Sequence, residues 1–213
     1  MRVLLTGFEP FGGESINPSL LAVESVRLDE SDFDVVKATL PVVFGEALIS
    51  LEHWITTYHP DVVICVGQAG GRSQMTVERV GINVDDARIA DNSGRSPIDM
   101  PIRADGPDAY FSNLPIKALV EEMKKAGIPA SVSNTAGTFV CNHVLYGLMD
   151  LIAQKYPHIK GGFIHVPYLP EQAAKYSDVS SMDLTLIVKA LEIAVLTAVR
   201  FQEDIKVTAG VEC

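Results

Sequence analysis

The chain has 213 residues, 47% apolar and 21% charged, a balance that excludes a disordered protein and predicts one globular domain over residues 1–213. Its formal net charge of −10, with no cluster of lysine or arginine, excludes a phosphate backbone as partner, so no nucleic acid is expected. No apolar stretch approaches the roughly 18 residues needed to cross a bilayer. The first apolar run ends at Leu5, short of the roughly 7–15 residues of a signal-peptide core, so no membrane partner is expected.

Val3 to Leu5 reads as a first strand, followed by a Gly/Pro-rich segment from Gly7 to Gly13. Asn17 and Pro18 read as the N-cap and first-turn proline of a helix. Val35 to Leu40 predicts a strand. Leu48, Leu51, Ile55 and Tyr58 share one face of a helix that Pro60 ends. Asp61 to Val66 is a continuous apolar strand of the kind found inside a parallel sheet, and the glycine-rich GQAGGR follows it. From about Asp85 to Asp108 the chain is polar with scattered Gly and Pro, which reads as a long loop, a type that often carries function. A helix over about Pro115 to Lys125 stops at Gly127. Ala130 to Ser133 predicts a strand, Thr138 to Tyr156 a helix, and Gly162 to Val166 a further strand. The last helix, with Ser180 or Ser181 as cap, carries Leu184, Ile187, Val188, Leu191 and Val195 on one stripe. This alternation predicts an α/β fold, a three-layer α/β/α sandwich around a mostly parallel twisted sheet. Ligands then gather at the carboxyl ends of strands, just after Leu5, Val66, Ser133 and Phe163–Val166.

Three cysteines, Cys65, Cys141 and Cys213, are too few and too scattered for a disulfide framework. No Cys-x-x-Cys pair points to zinc or a redox motif, so no metal is expected, and a reducing compartment is the simplest setting. Cys65, inside VVICV, reads as core packing, and Cys213, ending a polar tail, as an incidental thiol. Cys141, in SNTAGTFVCNH, stands between a strand and a helix. With Thr138 as the cap it falls in the first turn, where free N–H groups and the helix dipole favour a thiolate. The competing reading is a small apolar residue packing with Leu145 and Leu148, and position alone leaves the two even.

His143 lies two residues on, roughly 200° around a helix, so it is badly placed to share a proton with Cys141. His165 ends the strand GGFIHV at the rim and is the better base, while His53, His59 and His158 read as surface residues. A third group usually orients such an imidazole. Glu78, Asp85, Asp86 and Asp91 all follow the 61–66 strand, and spacing does not choose among them. The segments GFEPFGG and GQAGGR admit a rival reading, a phosphate-using transferase or small-molecule binding protein with an anion cradle. Neither segment fits GxxxxGK[ST] or GxGxxG. Phe8 and Phe11 are unusual company for the glycines of a rim loop.

Together, LLTGFEPFGG, ICVGQAGGR, TVERVGINVDDARIADN, SNTAGTFVCNH and GGFIHVPYLPEQ resemble the pyroglutamyl-peptidase I (pyrrolidone-carboxylate peptidase) family, in the family's order and along nearly the whole chain. The resemblance implies a cytoplasmic, cofactor-free cysteine omega-peptidase that releases N-terminal pyroglutamyl (5-oxoprolyl) residues from peptides through a thioester. It implies a homo-oligomer, tetramer or dimer. The family's nucleophile falls on Cys141, its base on His165 and its orienting acid on Glu78. Its site-shaping arginine falls on Arg88, and its ring pocket on Phe8, Phe11, Phe139 and Val140, with the backbone around Gln68 against the lactam. Gly81 and Ala90 stand where alanine and proline are common, and Val42 where threonine is; none of the three is in the triad.

Overall fold

In the computed structural model, residues 1–28 and 33–209 are described; Cys213 lies outside them. The chain runs β1 (Arg2–Phe8), α1 (Pro18–Ser25), β2 (Asp34–Leu40), α2 (Glu46–Tyr58), β3 (Val62–Gln68), β4 (Met75–Glu78), β5 (Val80–Ile82) and β6 (Ala109–Phe111). It continues with α3 (Ile116–Lys125), β7 (Ala130–Ser133), α4 (Val140–Gln154), β8 (Lys160–Val166), α5 (Pro170–Ala173) and α6 (Leu184–Arg200). The main sheet has the order β2-β1-β3-β8-β4-β7. Every pair in it is parallel except β8–β4, which is antiparallel. The α/β fold with a mostly parallel sheet is as the alternation predicts. The four-residue β4 carries too short a pattern to be read as a strand, and β5 and β6 form a separate two-stranded ribbon.

Alternation along the strands divides the core into two clusters, one on each face of the sheet. On one face Val3, Leu5, Val62, Ile64, Val66, Ile164, Val166 and Val77 pack with side chains of α1, α3 and α6. On the other, Leu4, Phe8, Val63, Cys65 and Phe163 pack with α2 and α4. Both faces are covered, which is why the central strands read as unbroken apolar runs. Among the described residues no helix is long and apolar enough to cross a membrane.

Local chemistry sets the helix ends. Asn17 caps α1, accepting the Ser19 N–H at 3.0 Å, with Pro18 in the first turn. Helix α3 ends at Lys125 and the chain turns at Gly127, which has φ +77°. Two expected caps are displaced. Asp183 caps α6 in place of Ser180 or Ser181, because its carboxylate reaches the Thr185 N–H at 2.8 Å. Helix α4 starts after Phe139, and Thr138 instead donates its hydroxyl to the Asp86 carbonyl at 2.7 Å.

The long 85–108 loop is irregular, as its composition predicts, and is tied down at several points. Asp85 and Met100 form an isolated antiparallel bridge. Asp91 takes the Phe44 N–H on one oxygen at 3.0 Å. Its other oxygen takes the N–H groups of Ser93 and Arg95, both at 2.9 Å, and the Ser93 hydroxyl at 2.8 Å. Burial acts to raise this carboxyl, but the backbone donors of Arg95 and Phe44 and the two Ser93 groups outweigh it and hold it below the ordinary 3.8. A lowered folded value means that the stabilisation is present above 3.8 and is lost as pH falls through the folded value. Asp91→Asn aims an amide N–H₂ at backbone donors. Urea unfolding at pH 7 should show a loss of about 1–3 kcal/mol, and the gap from the unsubstituted protein should narrow below about pH 3.8.

Candidate active site

The register of three strands places the first two groups. In parallel pairing Gly67 of β3 stands beside His165 of β8, and in antiparallel pairing His165 stands beside Thr76 of β4. Side chains two residues apart on a strand share a face, so Glu78 is the diagonal neighbour of His165. The two meet: His165 Nδ1 lies 2.8 Å from Glu78 Oε1. Glu78 is fully buried and His165 nearly so, and the imidazole packs against the Phe163 ring, centroids 4.8 Å apart.

Cys141 reaches this row from above. It is the second residue of α4, which packs over the same face of the sheet. A Cβ built on Gly67 would lie 2.8 Å from Cys141 Sγ and 2.7 Å from the Phe163 ring. Gly67 therefore leaves the space that the sulfur occupies, one strand spacing of about 4.8 Å from the backbone of His165. No side chain caps α4, so the N–H groups of its first turn stay available beside the sulfur. Gly7, before α1, has a similar packing cause, since a Cβ there would meet Leu20 Cα at 2.7 Å, whereas Gly12 and Gly13 are required by backbone turns at φ +64° and +82°. Packing alone accounts for Gly7 and Gly67.

Two of the other candidate carboxylates, Asp85 and Asp91, are committed elsewhere. His143 Nδ1 bonds Asp85 at 2.9 Å, while His143 Nε2 accepts the Gly45 N–H at 3.0 Å. A nitrogen that accepts carries no proton, so Nδ1 donates to Asp85. His143 thus faces the 85–108 loop and the start of α2. Asp91 is spent on its four donors, and Asp86 borders a wide cleft. His53, His59 and His158 are exposed. Cys65 is buried in the core, where desolvation pushes its thiol up to about 12.

An apolar pocket opens beside the sulfur, lined by Phe8, Phe11, Phe139, Val140, Val42 and Gln68 among others. Phe8 is 2% exposed and tilts against Phe163 at 6.1 Å, so it belongs to the core as well as to the pocket. Phe11 and Phe139, also 6.1 Å apart, are only partly buried. The adjoining cleft, about 630 Å³, reaches from Cys141 and His165 past Gln68 and Tyr168 to Arg88. Arg88 is exposed at this cleft and has no hydrogen-bond or ion-pair partner among the described residues.

Comparison with known proteins bears on this arrangement. The family model described as "Pyroglutamyl peptidase" matches residues 1–201. The chain belongs to the pyroglutamyl peptidase family. It is 53% identical over 213 residues to a pyrrolidone-carboxylate peptidase of Clostridium botulinum, with both chains fully covered. It is 57% identical over 211 residues to pyrrolidone-carboxylate peptidase 1 of Ralstonia nicotianae, covering 98% of this chain and 97% of the relative. The crystal structure of pyroglutamyl peptidase I from Bacillus amyloliquefaciens superposes with a TM-score of 0.94 at 52% identity, covering 97% of this chain and 99% of that one. The family is one of cysteine peptidases.

Two residues of this family member escape sequence reasoning. Arg72 ends the segment GQAGGR, which draws attention only for its glycines. Its guanidinium donates to Glu78 Oε1 at 2.6 Å, to the Thr76 hydroxyl, and to the Thr135 carbonyl at 2.9 Å. An arginine six residues before a carboxylate, in the loop that leads into β4, was the available signal. Asn142, next to Cys141, accepts the Ile82 N–H and donates to the carbonyls of Ile82 and Val84, each at 2.9 Å. That bonding ties α4 to β5.

Electrostatics fix the resting protonation. Burial works to raise the Glu78 carboxyl, but the His165 hydrogen bond and charge, Ser133 and Arg72 outweigh it and hold it below its ordinary value. Burial lowers His165, against the opposing pull of Glu78. Burial, then the Glu78 charge, pushes the Cys141 thiol up to about 12, the opposite of the thiolate that helix position alone favours. The Cys141 side chain is only partly buried, yet these influences favour a thiol beside a neutral imidazole at rest. Alkylation of Cys141 by iodoacetamide, followed by peptide mass spectrometry, should therefore accelerate continuously from pH 6 to pH 9. A rate already level at pH 6–7 would mean a resting thiolate.

Proposed function

We propose that this protein hydrolyses the amide bond that follows an N-terminal pyroglutamyl residue of peptides, with Cys141 as nucleophile, His165 as general base and Glu78 as the group that orients His165. The observation that carries this reading is the 2.8 Å bond between His165 and a fully buried, ionised Glu78, one strand from the glycine that makes room for the Cys141 sulfur. Its relatives are named for the same activity. On this reading residues 1–213 act as one peptidase domain, the free thiols Cys65 and Cys141 suit a reducing cytoplasm, and the working assembly is a homo-oligomer, dimer or tetramer.

The chemistry runs through a thioester. Neutral His165 takes the thiol proton as sulfur attacks the pyroglutamyl carbonyl. The imidazolium so formed lies against the Glu78 carboxylate, which offsets its burial. The uncapped N–H groups at the start of α4 face the oxyanion. His165 then gives its proton to the departing amine and activates the water that cleaves the thioester. Arg88, unpaired at the cleft, adds positive charge near the developing oxyanion. The ring enters between Phe11 and Phe139. About 10 Å³ of free space remains in the pocket here, so these two partly exposed rings must part to admit it.

Cys141→Ala and His165→Ala should be folded and essentially inactive, while His143→Ala should lose stability before it loses the chemical step. Glu78→Gln should lower kcat by about 10²–10⁴ with little change in KM, measured by fluorophore release from a pyroglutamyl amide. Unchanged kcat in that variant would remove Glu78 from the mechanism. The pocket also excludes a charged ring. A prolyl amide brings an ammonium into an apolar site, so its kcat/KM should be lower by on the order of a thousandfold than that of the pyroglutamyl amide with the same leaving group. Comparable values would sink the neutral-ring reading.

A further inference from the structure

Arg72 reaches the triad from the loop between β3 and β4, and the backbone there is shaped to bring it in. Its N–H closes a turn on the Ala69 carbonyl at 3.3 Å, and Gly71, at φ +88°, takes the left-handed conformation within that turn. The chain then enters β4, where Thr76 and Glu78, two residues apart, present their side chains to the same face. Arg72 Nη1 lies over both, donating to the Thr76 hydroxyl and, at 2.6 Å, to Glu78 Oε1. Its Nη2 donates to the Thr135 carbonyl at 2.9 Å, so the loop after β7 holds the other prong of the fork. Thr76 and Thr135 are neutral partners. Among the described residues, the charged partner of Arg72 is Glu78.

His165 Nδ1 stands 2.8 Å from that same Oε1, so the guanidinium and the imidazole share one carboxylate oxygen. While the imidazole is neutral, Arg72 alone balances the Glu78 charge. Once His165 takes a proton, two cations face the same oxygen, and each weakens the hold of the carboxylate on the other. We propose that Arg72 is a positioning residue of the triad that acts through Glu78: it fixes the carboxylate that orients His165 and, by occupying the same oxygen, keeps that carboxylate from trapping the imidazole in its protonated form. This rests on the function proposed above and deepens it, adding the group that lets His165 release its proton to the departing amine. The ionisable groups facing His165 are Glu78 from β4, Arg72 from the loop before it and Cys141 from α4, with Asp86, Arg88 and Tyr168 around the cleft. Cys65, on β3, stays a buried thiol. Burial lowers His165, Glu78 pulls it up, and the Arg72 charge adds to the lowering.

The test follows kcat and kcat/KM for a fluorogenic pyroglutamyl amide between pH 5.5 and pH 8. In Arg72→Met, kcat at pH 8 should fall by on the order of 10- to 100-fold. The ratio of kcat/KM at pH 5.5 to that at pH 8 should also drop, by on the order of three- to tenfold relative to the unsubstituted enzyme. The sign follows from the charges: without the guanidinium, Glu78 holds the imidazolium more firmly, so the base form is lost at a higher pH. A residue that only supported the fold would lower activity alike at both pH values. Arg72→Lys keeps a cation but not the fork, and should restore the ratio to within about twofold of the unsubstituted enzyme. Because Arg72 acts through Glu78, adding Arg72→Met to Glu78→Gln should cost less than about threefold further in kcat. If the methionine variant does not fold, Arg72→Gln replaces it, since it removes the charge and keeps an amide donor. Undiminished kcat or an unchanged pH ratio in the neutral variant, no recovery of the ratio with lysine, or the full loss repeated on Glu78→Gln would overturn the inference. Failure of the unsubstituted enzyme to cleave the pyroglutamyl amide would instead overturn the proposed function.

Discussion

A slip of one residue between β8 and β4 would carry Glu78 to the opposite face of the sheet and leave the His165 imidazole without its carboxylate. The antiparallel register, Thr76 against His165 and Val77 against Ile164, is therefore the constraint on which the site depends. It is enforced from behind. Val77 and Ile164 are both fully buried in the cluster under α1, α3 and α6, so a slip would also turn core side chains into a face that has no room for them. The same alternation that builds the hydrophobic core aims Glu78, His165 and the gap at Gly67 toward α4. Core and chemistry are two sides of one pairing.

Burying a carboxylate at this point is costly unless it is compensated. Arg72 and His165 converge on Glu78 Oε1, while Oε2 has no hydrogen-bond partner among the described residues. Arg72 is itself partly exposed, which keeps its cation solvated on the outer side while it neutralises the inner one. The two histidines near the cysteine are separated by the same logic of partners. Each has its own carboxylate, Glu78 or Asp85, but His143 spends its second nitrogen on the Gly45 N–H. Among the described residues, no hydrogen bond engages the second nitrogen of His165.

What was legible in the sequence follows the range of the interactions involved. Asn17-Pro18, the apolar run of β3, the strand Ala130–Ser133 and the stop at Gly127 are local signals, and all stand where the pattern puts them. The angular argument that separates His143 from Cys141 needs only helix geometry, and the two residues do face different surroundings. Glu78 could not be chosen among four carboxylates because its partner is 87 residues away, across a strand pair of opposite sense that alternation does not announce; only the family resemblance singled it out. Asn142 was hidden for the same reason, its partners Ile82 and Val84 lying 60 and 58 residues away. Helix position, which favours a thiolate, is visible in sequence, whereas the burial and the Glu78 charge that oppose it are not.

The position of β8 has a consequence for the nascent chain. Strands β1, β2 and β3 can assemble as soon as they are made, and β4 can pair with β7, but the sheet's two parts are joined only by β8, which lies between β3 and β4. Among the described residues, that strand is made after all the others. Its long-range pairings make closure a late event in folding. Until then His165 has neither Glu78 beside it nor Gly67 at its flank. The gathering of Glu78, His165 and the Gly67 gap and the completion of the sheet therefore arrive in a single step.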